Sequence, residues 1–138
     1  MGAWGLDVFE NDAACDWVYD LESKGADHIS ATLESVLSVG NEFLAADIGS
    51  QGLAAVEVVA RLLGQPGQSG NSTESLDAWL ASNSFTPSAD LTKAAVATIE
   101  AVLGAKSELA ELWAEEPESS AQWRESVEGL RRRLELPS

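Results

Sequence analysis

The chain has 138 residues, 45% of them hydrophobic, and a formal net charge of -15. This length suits one domain with a real core, and the apolar content argues against wholesale disorder. A surface this acidic repels phosphate backbones and anionic lipid, so we expect neither nucleic-acid nor membrane binding. The charge favours a basic protein as partner, although it could serve solubility alone.

The cysteine content and the absence of targeting patterns predict the compartment. Cys15 is the single cysteine and has no internal partner for a disulfide. The opening lacks the basic and apolar regions of a secretory signal, and no apolar run reaches the roughly 20 residues of a membrane span. These observations predict a cytoplasmic protein with a reduced thiol.

The first half of the chain contains three stretches with apolar residues at helical spacing, each bounded by capping residues. The stretches run from Asn11 or Asp12 to about Ser23, with Gly25 as the C-terminal cap, from near Asp27 to Gly40, and from Ser50 to Gly64. A segment rich in Gly, Ser and Pro follows over residues 65–74. Its composition predicts an exposed loop that is too short to separate two domains.

The second half contains four further helical stretches, separated by Pro and Gly. The first is centred on Trp79, and the second runs from about Ala89 to Leu103. The third is centred on Leu112, and the fourth runs from Ser119 or Ser120 to the arginines at 131–133. Positive charge there suits the negative end of the helix dipole. With no convincing alternating strand, we predict an all-α single domain over residues 1–138, an irregular bundle of six or seven helices.

Tryptophan is unusually frequent, with five residues. Four of them lie on the apolar stripes of predicted helices, which indicates core positions: Trp17, Trp79, Trp113 and Trp123. Helical periodicity does not explain Trp4. Because glycines flank Trp4 and Phe9 precedes the predicted cap, we expect both side chains to pack into the bundle and fix the N-terminus. An exposed tryptophan would favour a binding surface or a symmetric self-association instead.

Acidic residues supply the candidate metal ligands. Asp12, Asp16 and Asp20 recur every four residues and form one column on the first helix. Such carboxylates bind calcium or magnesium when several helices contribute ligands; otherwise they form a solvated face. Glu57 lies in a very apolar helix. Three roles are open for it: a metal ligand, an outward charge, or a buried acceptor for an indole N–H or a backbone amide. A metal-dependent hydrolase would need Glu42 or Glu57 to join the aspartates in one pocket.

The remaining reactive residues offer little chemistry. His28 is the single histidine, which leaves too few ligands for a multi-histidine zinc site and no obvious catalytic triad. We expect it near the first turn of the second helix, partly exposed, and Cys15 as a small packing residue. The glycine-rich loop lacks the Lys-Ser/Thr pair that completes a phosphate-binding loop. We therefore predict no catalytic residue, no cofactor and no metal site.

The opening GAWG and the segment FENDAACDW resemble the start of a bacterial family, the domain of unknown function 4259. The matching positions are Gly2, Trp4, Gly5, Phe9, Asn11, Asp12, Ala13 and Trp17. Two later stretches are similar to later helices of the family: LAAVEVVARLLGQP, which contains Glu57, and WRESVEGLRRRLE. The resemblance therefore covers most of the chain. It implies a helical fold and a cytosolic location, and it brings no activity, catalytic residue or cofactor.

Three hypotheses of function follow from these features. The leading one is a non-catalytic helical domain that interacts with a protein. A specific version is an immunity- or antitoxin-like inhibitor that covers the basic active site of a toxin acting on nucleic acid. The alternatives are the metal-dependent hydrolase and a domain that self-associates through exposed tryptophans.

Overall fold

A computed structural model describes residues 12–39, 42–63, 74–83, 86–104, 106–115 and 117–135. The predicted all-α fold is confirmed over these residues, which form seven helices and no strand. In chain order they are α1 (Asp12–Lys24), α2 (Asp27–Leu37), α3 (Ala46–Leu62), α4 (Glu74–Asn83), α5 (Ala89–Leu103), α6 (Glu108–Ala114) and α7 (Pro117–Glu135). None of the described helices combines the length and the apolar character that crossing a bilayer requires.

The central helix is α3, which contacts α1, α2, α5, α6 and α7. Every residue from 52 to 60 on α3 is buried, because its small Ala and Gly side chains and its valines let neighbours approach from several sides. Core residues come from helices on both sides of the 64–73 segment. The two halves of the chain therefore share one hydrophobic core.

The four tryptophans predicted to be in the core are all buried, at 1% to 8% exposure: Trp17, Trp79, Trp113 and Trp123. Trp113 on α6 and Trp123 on α7 stack with ring centroids 5.9 Å apart. Large aromatic surfaces of this kind supply much of the burial energy of a small core. The predicted anchors Trp4 and Phe9 lie outside the described residues.

Local capping signals fix several helix ends where the sequence predicts them. Gly25 has φ of 80°, the left-handed conformation that ends α1 at little steric cost to a glycine. The backbone N–H of Leu91 donates to Ser88 Oγ at 3.1 Å, so α5 begins after this serine. The bounds of α5 match the predicted Ala89 to Leu103.

Two helix starts differ from the prediction. The third helix begins at Ala46, one turn before the predicted Ser50, because the Ala46 N–H donates to Glu108 Oε1 at 2.8 Å. A side chain from a distant helix thus satisfies a free amide of the first turn. The last helix begins at Pro117 instead of Ser119 or Ser120. Proline suits the first helical position, where its missing N–H costs no hydrogen bond.

The connection between α2 and α3 meets the connection between α5 and α6 in an isolated parallel bridge, which we call the Leu44–Ser107 joint. The N–H of Leu44 donates to the Lys106 carbonyl at 2.8 Å, and the N–H of Glu108 donates to the Leu44 carbonyl at 2.9 Å. The sequence did not predict this contact. It fixes two loops against each other at one end of the bundle.

Gly52 lies where α3 packs closely against α2 and α5, and replacing it by alanine should destabilise the protein. An added Cβ would lie 2.8 Å from Val36 Cγ2 and 3.1 Å from Thr98 Cγ2. Both neighbours are buried and cannot move freely. Overpacking costs about 1–3 kcal/mol, which exceeds the gain of about 1 kcal/mol from replacing a helical glycine. Urea denaturation of Gly52→Ala should therefore give a lower free energy of unfolding.

Gly49, one turn earlier on α3, provides the matched control. A Cβ there would meet its nearest atoms, in Leu109, at 3.7 Å, which is ordinary van der Waals contact. Gly49→Ala should be neutral or stabilising by up to about 1 kcal/mol. Equal effects of the two substitutions would show that the contact with Val36 does not limit packing.

Candidate functional site

Glu57 is the acid that the sequence singles out, and it lies in a buried cluster with two arginines. Its side chain is 6% exposed. Arg133 on α7 donates two hydrogen bonds to the carboxylate, at 2.7 Å to Oε1 and 2.8 Å to Oε2. Arg61, one turn along α3, donates from Nε to Oε2 at 2.7 Å. Both carboxylate oxygens are thus engaged by guanidinium groups.

The cluster continues to a further helix. Arg61 Nη1 donates to Asp77 Oδ1 on α4 at 2.9 Å, and the Arg61 side chain is 6% exposed whereas that of Asp77 is 47% exposed. Glu57 therefore joins α3 to α7 directly and to α4 through Arg61. The paired geometry is the charge-assisted kind that offsets the cost of burying ions.

This geometry corrects the expected roles of Glu57 and of the C-terminal arginines. Glu57 is a buried acceptor, but its donors are guanidinium groups instead of an indole or a backbone amide. The helix dipole alone does not explain the arginines, because Arg133 binds Glu57 and Arg132 donates to Glu125 at 2.9 Å. A metal ion at Glu57 would have to displace both guanidinium groups.

The predicted aspartate column does not converge with Glu57. Asp16 and Asp20 are exposed on α1, and the side chain of Asp12 lies outside the described part of the chain. Within that part, no group of three or more His, Cys, Asp or Glu side chains is arranged to hold a metal ion. Glu42, the other candidate ligand, is exposed in the connection between α2 and α3.

The solvent side of α1 carries an aromatic residue among acids. Tyr19 is 76% exposed. Cys15, Asp16, Asp20, Glu22 and Ser23 are exposed beside it, and we call the six together the α1 face. Lys24, the last residue of the helix, is exposed as well. Cys15 is thus exposed, and the expectation that it packs in the core is wrong. On the opposite side of the helix, Trp17 and Leu21 are buried, so the α1 face is held on a rigid support.

Behind the α1 face, α1 and α2 are joined by a polar contact in the core. Trp17 Nε1 donates to Thr32 Oγ1 at 2.6 Å, and Thr32 Oγ1 donates to the His28 carbonyl at 2.7 Å. The rings of Trp17 and His28 stack with centroids 5.2 Å apart. His28 lies in the first turn of α2, partly exposed as predicted, while its Nε2 atom is buried and has no hydrogen-bond partner among the described residues.

The environment of His28 makes stability depend on pH. Burial lowers the pKa of His28 below its ordinary value near 6.5, and the positive charge of Lys24 lowers it further, whereas Asp20 acts in the opposite direction. Protonation therefore favours the unfolded chain. The contribution to stability is complete above the unfolded pKa and is lost as the pH falls below about 6.5 toward the folded pKa.

We expect the free energy of unfolding from urea denaturation to fall between about pH 7.5 and about pH 5.5. His28→Phe keeps an aromatic ring against Trp17 and removes the titrating group, so its stability should change less over the same interval. An identical decrease in both proteins would assign the pH dependence to other groups.

The family assignment rests on a match over most of the chain. Residues 2–126 match the Domain of unknown function (DUF4259). The chain belongs to this family. The match confirms the resemblance found in the opening motif, although Gly2 to Asn11 lie outside the described residues. No curated protein and no solved structure was found to match this DUF4259 member.

Sequence reasoning missed three residues of the arrangement described above. Arg61 could have been found, since it lies four residues after Glu57 and such pairs meet on a helix. Arg133 lies 76 residues from Glu57 and gives no local signal. The exposure of Tyr19 follows from the burial of Trp17, because residues two positions apart on a helix point to nearly opposite sides.

Proposed function

We propose that this DUF4259 member is a non-catalytic domain of the bacterial cytoplasm that binds a basic protein through the α1 face. The observation that carries the proposal is Tyr19, which is 76% exposed and has Asp16, Asp20 and Glu22 around it. A tyrosine supplies a large, stiff contact surface with a polar end, and tyrosine is enriched at the centres of protein interfaces. Carboxylates around it suit a partner with arginine or lysine side chains.

The charge distribution supports the same surface. Exposed acids continue from the α1 face along α2 and into α3, at Asp27, Glu34, Glu42 and Asp47, while Lys24 is the one basic residue in this part of the chain. Arg61 and Arg133 are occupied by Glu57 inside the bundle. On α1 the three exposed acids near Tyr19 outnumber the one exposed cation, Lys24, which favours fast, salt-sensitive association with a cationic surface.

The rigidity of α1 adds to this argument. Trp17 and Leu21 fix the helix to the core, and the Trp17–Thr32 hydrogen bond ties it to α2. A partner would meet a preformed helix face and would not have to order it, which lowers the entropic cost of binding. Because Tyr19 makes little contact with the core, it can be removed without unfolding the protein.

The test uses the full chain as bait in a bacterial extract at low salt, followed by identification of captured proteins. Two variants disturb the α1 face: Tyr19→Ala, and Asp16→Asn combined with Asp20→Asn. A charge-matched control, Glu100→Gln combined with Glu111→Gln, removes two exposed acids elsewhere. We expect a basic protein on the wild type and on the control, with reduced capture on both α1 variants and on all baits at high salt.

The outcomes separate the hypotheses of function. Capture of a basic toxin that acts on nucleic acid would give the proposal its immunity- or antitoxin-like form. Recovery of no basic protein, or equal recovery on all baits, would contradict the proposal. A dimer that light scattering detects and that Tyr19→Ala dissolves would instead favour self-association through this face.

A further inference from the structure

The ring of His28 lies against the indole of Trp17 at the boundary between α1 and α2. The two rings stack nearly in parallel, with centroids 5.2 Å apart and an interplanar angle of 21°. Trp17 is 1% exposed, whereas His28 is only partly buried. The imidazole is therefore the outer ring of the pair, and it shields the indole from solvent.

The backbone of His28 is fixed by hydrogen bonds at both ends. Its N–H donates to the Gly25 carbonyl at 3.0 Å, and its carbonyl accepts from Thr32 Oγ1 at 2.7 Å. The ring lacks such a restraint at Nε2, which is buried and has no hydrogen-bond partner within the described part of the chain. The side chain can therefore rotate about its Cα–Cβ bond without disturbing the first turn of α2.

Protonation of His28 places an N–H group on Nε2. A neutral imidazole carries one N–H and an imidazolium carries two, so both ring nitrogens are then donors. In the observed position of the ring, the donor at Nε2 is buried without an acceptor, which is unfavourable for a charged group. Rotation of the ring toward solvent relieves this penalty, because water then accepts from both nitrogens.

The charges closest to the ring act in opposite directions. Burial and the positive charge of Lys24 lower the pKa of His28, and the carboxylate of Asp20 raises it. Both of these residues are on α1. Asp27 is adjacent to His28 in the first turn of α2, where the positive end of the helix dipole also disfavours an imidazolium. The ring thus lies in a site that suits its neutral form.

The helices that pack against α1 and α2 offer no acceptor to Nε2 among their described residues. Their described charged side chains are bound to one another or exposed: Glu57, Arg61 and Asp77 form one cluster, and Asp47, Asp90, Lys93 and Glu100 are exposed. Attraction between a cation and an indole face opposes rotation of the ring. The buried donor, the helix dipole and Lys24 all favour it.

We propose that His28 is a pH-sensitive cover for Trp17: the neutral ring stacks on the indole, and the protonated ring turns into solvent and exposes the indole face. The two helices stay folded, because Trp17 keeps its hydrogen bond to Thr32 and α1 keeps its contacts with α3. Acidification thus uncovers an aromatic surface between α1 and α2. The inference does not depend on the proposed function, which concerns the opposite side of α1.

The experiment is an NMR titration of the full chain labelled with 5-fluorotryptophan. His28 is the single histidine, so the imidazole signals belong to it, and the Trp17 fluorine signal is the one that Trp17→Phe removes. A soluble paramagnetic reagent measures the exposure of each indole between about pH 7.5 and about pH 5. We expect the Trp17 signal to shift, and to be broadened by the reagent, with the midpoint of the imidazole titration and below pH 6.5.

Variants and internal controls make the titration specific. His28→Ala should expose Trp17 at every pH, and His28→Phe should protect it at every pH. Trp113 and Trp123 stack on each other without a histidine, so their signals should not follow the titration. Asp20→Asn should lower the midpoint and Lys24→Met should raise it, because these charges act on the ring in opposite directions.

Four results would overturn the inference. An imidazole midpoint at or above pH 6.5 would show that the cation is retained on the indole. A Trp17 signal that ignores the imidazole titration would show that the ring does not move. Equal protection of Trp17 in wild type and in folded His28→Ala would show that His28 is not a cover. Loss of helical circular dichroism with the same midpoint would indicate global unfolding instead of a local movement.

Discussion

Replacing Glu57 by alanine should lower the free energy of unfolding by about 3 kcal/mol. Removing one partner of a buried ion pair typically costs about 3–5 kcal/mol, because the remaining charge is left without compensation. The lower value is expected here since Arg133 is 22% exposed and can turn to water, while Arg61 keeps Asp77. Urea denaturation of wild type and variant measures the difference.

A control and a double substitution make the prediction for Glu57 specific. Glu125 pairs with Arg132 at the surface, where the two side chains are 74% and 62% exposed, so Glu125→Ala should cost less than about 1 kcal/mol. Combining Glu57→Met with Arg133→Met should cost less than the sum of the single substitutions, because the cost of an unpaired ion is then partly avoided. Strict additivity would contradict direct coupling between Glu57 and Arg133.

Replacing Trp17 by alanine should lower the free energy of unfolding by about 3–5 kcal/mol, the usual range for a buried tryptophan. The side chain is 1% exposed, stacks on His28 and donates to Thr32. The substitution leaves a cavity between α1 and α2 and removes the donor to the Thr32 hydroxyl. Chemical denaturation followed by circular dichroism measures the loss without relying on tryptophan fluorescence.

Two further variants isolate the contributions at Trp17. Trp17→Phe retains an aromatic ring and removes the indole N–H; Thr32 still donates to the His28 carbonyl, so the loss should be about 1–2 kcal/mol. Tyr19→Ala, two residues away on the exposed side, should change stability by less than about 0.5 kcal/mol. A loss for Trp17→Ala no larger than that for Tyr19→Ala would refute the anchoring role of this tryptophan.

The sequence predicts the helices best where the start and end signals are local. The bounds of α5 follow from the Ser88 cap and from Gly104, both adjacent to the helix. The sequence predicts the start of α3 one turn too late, because the group that accepts from Ala46 belongs to Glu108, 62 residues away. Such a partner exists after the chain folds, and no short stretch of sequence encodes it.

The contrast between local signals and distant partners also applies to the candidate site. An isolated acid in the apolar stretch around Glu57 indicates an unusual environment, and its burial follows from the helical pattern. Which groups neutralise it depends on how α7 crosses α3, because Arg133 reaches it from 76 residues away. The sequence pattern therefore predicts a buried acid at position 57, whereas its arginine partner on α7 follows only from the packing of the helices.

The Leu44–Ser107 joint changes how the two connecting loops open to solvent. Loop amides usually exchange their hydrogens quickly, because small local openings expose them. Here the amides of Leu44 and Glu108 are bonded across the joint, and Ala46 is bonded to the Glu108 side chain, so none of these three hydrogen bonds lies within a single loop. Breaking them separates the two connections and frees the first turn of α3 from Glu108. These amides should therefore exchange more slowly than the amides of a loop whose hydrogen bonds are all local, and hydrogen exchange would report the stability of this contact between distant parts of the chain.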